Sequence, residues 1–250
     1  MLEPEAVLDC NCLFGHWPRG ELDASLATVL GLLGAAGIGG VVVGSLRAAL
    51  SDSAAGNQEA MAACAGRPGL EPCAGLSLRR AMDHEGEVEA VWGAGCRLLR
   101  VFREYEGWPV DYAPFARTVR AAAGRGLPVM VAALAPGDIT AMGRALAESA
   151  GALVVTGVNI SHTPLVAEAI AVGRDAPQMY FETSRVENEE TMELLAGELG
   201  VGRLVFGTGL PFQYPSSALA VLRECGLSRE EKTAVLGGNA RRLMGLTIGG

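Results

Sequence analysis

The sequence has no excess of positive charge. Its 20 Lys and Arg stand against 28 Asp and Glu, for a net charge of −8. An acidic chain is repelled by phosphate backbones and by anionic lipid surfaces, so neither nucleic acid nor membrane is the expected partner. The 6 cysteines follow no regular spacing, so no disulfide framework is expected. No nucleophile elbow, phosphate loop or dinucleotide fingerprint occurs; Gly37–Gly40 is too short and too apolar in setting to count as one. The opening residues, MLEPEAVLD, are acidic and place no basic stretch before an apolar run, so they do not read as a signal peptide. These absences predict a cytoplasmic protein with reduced thiols.

Charge is also missing from Ala24 to Leu46, a run long enough to cross a bilayer. Six glycines interrupt it. The run therefore reads as a helix over Leu22–Ala36, a turn at Gly37–Gly40 and a strand over Val41–Ser45.

What the chain does have is apolar material and glycine. Half of its 250 residues are apolar and 34 are glycine, which suits one large domain with many tight turns. Strand-like runs recur at Ala6–Leu13, Gly40–Ser45, Glu71–Leu76, Arg97–Phe102, Pro128–Ala133, Ala152–Ile160, Met179–Thr183 and Arg203–Thr208. Helical patterns follow them at Leu22–Ala36, Ala54–Ala65, Glu85–Ala94, Tyr112–Gly124, Ile139–Ser149, Pro164–Gly173, Glu187–Gly200 and Ser216–Glu224. Eight strands, each followed by a helix, predict a single (β/α)8 barrel, the TIM-barrel fold, over residues 1–250. The strands are rich in Val, Leu and Ile, as befits a parallel sheet covered on both faces. Near the C-terminus, Ser228 and Glu231 form a capping-box pattern that predicts a short helix before Gly237–Gly238.

The stretch Val7–Pro18, VLDCNCLFGHWP, reads as the first strand running into a polar turn. Strand alternation predicts Asp9, Asn11 and Leu13 on the lumen side, with Cys10 and Cys12 on the helix side. The stretch resembles the first strand of the metal-dependent amidohydrolase superfamily, Asp-x-His-x-His-x-Gly, with Asp9, Phe14 and Gly15 in place and Asn11 and Leu13 at the histidine positions. Arg203–Pro211, RLVFGTGLP, resembles the family's eighth strand, and Asn239–Leu246 its terminal stretch. Gly56–Asn57, the strand ending in Arg100 and Leu127–Val131 have counterparts too. The resemblance covers essentially the whole chain. It is to the amidohydrolase-related branch with aminocarboxymuconate semialdehyde decarboxylase-like and resorcylate decarboxylase-like proteins.

The resemblance implies a divalent metal at the C-terminal mouth of the barrel. Two histidines on strand one, histidines on strands five and six, and an aspartate on strand eight would hold it. In this sequence Asn11, Leu13, Ala132 and Gly209 stand at four of those positions, and His162 at the fifth, with Asn159 or Ser161 there if the register shifts. Three of the four have no side-chain donor, and a neutral amide is a poor zinc ligand. No bound metal and no other cofactor is therefore expected. In the family, the aspartate missing at Gly209 also carries a proton.

Reactive groups on this fold sit at the C-terminal ends of the strands and in the loops beyond. That selects Asp9; Arg100, Glu104 and Tyr105; Asn159 and His162; Glu182, Thr183 and Ser184; Thr208 and Gln213; and His16 and Trp17 in the loop after strand one. His162 is the acid–base candidate by intrinsic pKa, with Glu182 and Asp9 as further proton carriers. Asn11, Arg100, Tyr105, Asn159 and Thr208 are the candidates for holding a small-molecule ligand. Arg100 suits a carboxylate or phosphate, or else pairs with Glu182 or Asp9 inside the barrel. Asp9 has a second role open to it, accepting hydrogen bonds that fix the turn after strand one.

Three readings follow. The first is a metal-independent hydrolase or lyase that works on a small anionic molecule by acid–base chemistry. The second is a pseudoenzyme, a ligand-binding or partner subunit. The third keeps a metal on ligands the motifs do not reveal. A polar, shaped mouth favours the first; a mouth plugged by Leu13, Phe102 and Leu210 favours the second. The apolar composition and the resemblance both predict a homodimer.

Overall fold

The structure is a computed structural model that describes residues 6–80, 82–159 and 163–247. Eight parallel strands pair in chain order: β1 (Leu8–Phe14), β2 (Gly40–Ser45), β3 (Leu70–Leu76), β4 (Leu98–Val101), β5 (Val129–Ala132), β6 (Leu153–Thr156), β7 (Met179–Glu182) and β8 (Leu204–Val205). The chain beyond β8 returns to β1. The Cys10 amide donates to Phe206 O at 3.0 Å, Gly209 N to Asn11 O at 3.0 Å and Leu13 N to Leu210 O at 2.9 Å. These bonds bring the ends of the sheet together into a (β/α)8 barrel.

The helices lie between the strands: α1 (Leu26–Ala36), α2 (Leu46–Leu50), α3 (Ser53–Cys64), α4 (His84–Gly93), α5 (Arg103–Glu106), α6 (Ala113–Ala123), α7 (Asp138–Ala147), α8 (Thr163–Asp175), α9 (Glu189–Leu199) and α10 (Pro215–Glu224). Two of them, α2 and α5, have no counterpart in the sequence reading. At 5 and 4 residues they are too short to show a helical period. The uncharged run Ala24–Leu46 resolves into α1, a left-handed Gly37 cap and β2. Among the described residues no helix is long and apolar enough to cross a membrane.

The capping box at Ser228 and Glu231 forms and opens α11 (Arg229–Thr233). The glycine pair was expected to end this helix. Instead the chain stays helical through a wide turn at Ala234–Gly238 and into α12 (Asn239–Met244). A Cβ on Gly237 would stand 2.2 Å from the Ala6 carbonyl oxygen, so glycine here lets the helix close onto the start of β1.

Successive strand residues alternate between two cores. Leu99, Val129, Val155 and Phe181 pack outward against helix residues such as Leu33, Phe115 and Leu195. Val42, Cys73, Leu98, Met130, Val154 and Val205 fill the lumen, closed from below by Ala240 and Met244 of α12. The next inward layer toward the C-terminal end carries Arg100, Thr156 and Glu182. This layer is the mouth.

Strand β1 breaks the alternation. Asp9 pairs with Val41 but Cys12 with Val43, so one extra residue is inserted between them. Such a bulge lets two consecutive side chains point to one side. Cys10 accordingly joins the lumen cluster while Cys12 joins the outer core. This corrects the expectation that both cysteines face the helices. Both are buried free thiols, as are the other four.

Candidate functional site

Three strand ends meet at the mouth through one side-chain amide. Arg100 Nη1 donates to Asn11 Oδ1, and Asn11 Nδ2 donates to Glu182 Oε2 at 2.9 Å. Arg100 Nη2 extends the chain to Glu104 Oε1 at 3.2 Å. At the other end Glu182 accepts from the Ser184 amide at 2.5 Å and the Ser184 hydroxyl at 2.8 Å. The sequence of contacts is Glu104, Arg100, Asn11, Glu182, Ser184, across β4, β1 and β7. The close approach of Asn11 to Glu182 depends on Gly207. A Cβ there would lie 2.3 Å from Glu182 Oε1 and 2.7 Å from Asn11 Cβ.

Glu182 is fully buried. Burial pushes its carboxyl up to about 7, against the opposing pull of its bonds from Ser184 and Asn11, and the nearby Asp9 adds to the rise. Arg100 carries its charge throughout. Its ion pair is with Glu104 rather than with Glu182 or Asp9, and its link to Glu182 runs through the Asn11 amide.

Asp9 and Thr208 face one another at the seam between β1 and the chain after β8. Asp9 Oδ1 accepts from the amides of Asn11 and Thr208, each at 2.9 Å, and Asp9 Oδ2 accepts from the Thr208 hydroxyl at 2.5 Å. The same hydroxyl accepts from Leu210 N at 3.2 Å. Both residues are fully buried. Burial raises the Asp9 carboxyl, and the bonds from Thr208 and Asn11 oppose the rise. Every hydrogen bond here is internal to the seam, which fits the turn-fixing role open to Asp9 and makes Thr208 a latch between β1 and the chain after β8.

The remaining candidates are spread around the rim. Tyr105 lies off the network, 6.2 Å from the Phe102 ring and 6.1 Å from Trp17. Burial and the adjacent Glu104 raise its phenol. Asn159 is buried beyond β6, and Thr183 is buried with its hydroxyl unpartnered. His16 is exposed. Gln213, with its amide nitrogen turned to the carbonyls of Thr208 and Ser184 at 3.2 and 3.0 Å, ties the β7 and β8 loops together. His162 lies outside the described residues.

Part of the mouth is apolar. Leu13 and Phe102 are both buried and pack with Leu46 and Ala49. Leu13 Cδ2 occupies the space over Gly44, and Phe102 Cε2 that over Gly75, where added Cβ atoms would meet them at 3.1 and 2.8 Å. The Arg100–Asn11–Glu182–Ser184 side stays polar.

The family resemblance implies a metal at this place, and the described residues do not fit one. Among them no group of three or more His, Cys, Asp or Glu side chains is placed to hold an ion. Asn11 has already committed its oxygen to a guanidinium, so a cation at that oxygen would face a fixed positive charge. The Cys10 and Cys12 thiols are each pushed well up by burial, which disfavours the thiolate a metal needs.

A parallel barrel with a polar network at its C-terminal mouth is the architecture of a large class of enzymes. The amidohydrolase family model matches residues 16–246, and the chain belongs to the amidohydrolase family. No curated protein matches the chain. Solved structures similar to it include 2,6-dihydroxybenzoate decarboxylase from Rhizobium, 14% identical over 96% of this chain and 98% of that one, with a TM-score of 0.73. They include 5-carboxyvanillate decarboxylase from Sphingomonas paucimobilis, 14% identical over 96% and 99%, with a TM-score of 0.72. A Pseudomonas putida protein provisionally assigned as a 2-pyrone-4,6-dicarboxylic acid hydrolase is 18% identical over 96% and 97%, with a TM-score of 0.73. At these identities the likeness is one of fold.

Proposed function

We propose that this barrel is a metal-independent lyase or hydrolase for a small anionic molecule, with Glu182 as its proton carrier. The observation that carries the reading is a buried carboxyl raised to about 7 and tied through one amide to a partly buried arginine. A carboxyl that titrates near neutrality can both give and take a proton at working pH. Its outlet would be Ser184, a residue slightly less buried than Glu182, whose hydroxyl donates to Glu182 Oε2. Arg100 would orient the ligand's anionic group, exchanging Glu104 for it, since guanidinium forks suit carboxylates. Asn11 keeps the charge of Arg100 and the proton of Glu182 in fixed relation.

The similar structures named above act on aromatic carboxylates or are assigned to a pyrone dicarboxylate, which is the same chemical class. Incubation with 2,6-dihydroxybenzoate, 5-carboxyvanillate and 2-pyrone-4,6-dicarboxylate in excess EDTA tests the reading. Turnover of one of them that disappears in Glu182→Gln is the expected result. Turnover only when a divalent metal is restored would overturn it.

One observation favours the second reading, a ligand-binding subunit without catalysis. Leu13 and Phe102 occupy the mouth over Gly44 and Gly75, leaving the Arg100–Asn11–Glu182–Ser184 side polar. Binding of such a carboxylate with no product over days would select this reading. A cytoplasmic homodimer is proposed in either case. The free thiols fit a reducing compartment. Light scattering that reports only monomer at micromolar concentration would reject the dimer.

A further inference from the structure

Beside the mouth lies a second concavity of about 330 Å³, walled by the loops after β1, β2, β3 and β4. Arg19, Arg79 and Arg80 line it, together with Tyr105 and Glu106. In a chain of net charge −8 this is a local excess of positive charge. Among the described residues none of the three arginines has an ion-pair partner, although seven other arginines do. Glu106 offsets one of the three charges without forming an ion pair with any of them. Its carboxylate is taken by the Ser77 hydroxyl, by Leu78 N at 3.1 Å and by Trp108 Nε1 at 2.7 Å.

Two of the arginines are steered rather than loose. Arg79 Nη1 donates to the Glu106 carbonyl at 3.4 Å, and the Arg19 guanidinium sits 5.9 Å over the Trp17 ring. Tyr105 adds a phenol that burial keeps protonated, hence a hydrogen-bond donor. Donors of this kind, lining a concave wall that sets three guanidinium groups against one carboxylate, make a receptor for an oxyanion.

We propose that this pocket binds a small polyanion, a phosphate ester or a polycarboxylate, through Arg19, Arg79, Arg80 and the Tyr105 hydroxyl. The site is separate from the Arg100–Asn11–Glu182 network and needs nothing of Glu182.

The test is calorimetric titration at low salt with two probes, inorganic pyrophosphate and tricarballylate. The proteins are wild type, Arg79→Ser/Arg80→Ser, Arg19→Ser, and Arg144→Ser on the exposed face of α7 as a control. All these side chains are exposed, so the variants keep the fold, and near-UV circular dichroism checks it. Saturable one-to-one binding of at least one probe is expected, weakened about tenfold or more in the double variant and unchanged in Arg144→Ser. Preference for pyrophosphate identifies a phosphate ester, and preference for tricarballylate a polycarboxylate. Glu182→Gln should bind as wild type does, which separates this proposal from the catalytic one. No saturable binding of either probe, or equal weakening in Arg144→Ser, would overturn it.

Discussion

Asn11 holds Arg100 and Glu182 by the two ends of one amide, accepting from the guanidinium and donating to the carboxyl at 2.9 Å. The side-chain amide offers an acceptor to the guanidinium and a donor to the carboxyl at the same time. Asn11→Leu keeps the number of side-chain heavy atoms and removes both bonds. Leaving a buried carboxyl and a partly buried guanidinium each short of a partner should cost about 2–3 kcal/mol. Urea denaturation at neutral pH measures this. A loss under about 0.5 kcal/mol, the scale of a surface substitution, would show that the bridge does not matter to the fold.

Glu182 makes stability depend on pH. Its carboxyl is raised from 4.5 to about 7 in the folded state. Between those values the native protein holds a proton that the unfolded chain has lost, so stability falls as pH rises through this window. The full contribution is present below about pH 4.5 and is gone above about pH 7, with a ceiling on the order of 3 kcal/mol. Glu182→Gln should flatten the curve of denaturation midpoint against pH between 5 and 8. An unchanged slope would place the titration elsewhere.

The sequence carried the order of strands and helices because each β-strand is an apolar run bounded by glycine or charge, and parallel sheets need nothing subtler. It carried the site less well. Period-two alternation sent Cys10 outward, whereas one inserted residue between Asp9 and Cys12 turns it inward. A bulge of this kind has no mark in composition. Arg100 and Glu182 were legible as strand ends, but their link through Asn11 depends on Gly207, just past β8 and far along the chain. Asp9 and Thr208 were legible as strand-end residues, but the bonds by which they close the seam were not. Arg19, Arg79 and Arg80 have no mark in the sequence because two loops, after β1 and β3, and not one motif, assemble them.

A second ion pair braces the mouth. Asp138, at the start of α7, accepts from Arg103, from Leu134 N at 2.7 Å and from Ala135 N at 2.8 Å. Arg103 also donates to the carbonyls of Ala132 at 3.3 Å and Trp108 at 3.4 Å. Asp138→Ala leaves the buried guanidinium without its carboxylate and should destabilise by about 3 kcal/mol. Thermal denaturation with a midpoint within a degree or two of wild type would contradict that assignment.

The thiols should be silent in the native protein. Burial pushes Cys64 and Cys73 up to about 12 and Cys96 to about 11, and raises Cys10 and Cys12 further in the same direction. The thiolate is the reactive form, so a disulfide reagent should label these five only after unfolding. Fast native labelling of Cys10 or Cys12 would place one of them at the surface.

The central claim is that an amide bridge and a neutral-range carboxyl stand where the family resemblance implies a metal. Elemental analysis of protein purified without chelator, then dialysed against zinc or manganese and washed, tests it most directly. The ligand positions hold Asn11, Leu13, Ala132 and Gly209, and one further histidine binds an ion only weakly. The account expects far less than one metal per chain to survive the wash, in wild type and in His162→Ala alike. About one zinc, manganese or iron per chain, retained through dialysis and lost in His162→Ala, would contradict it.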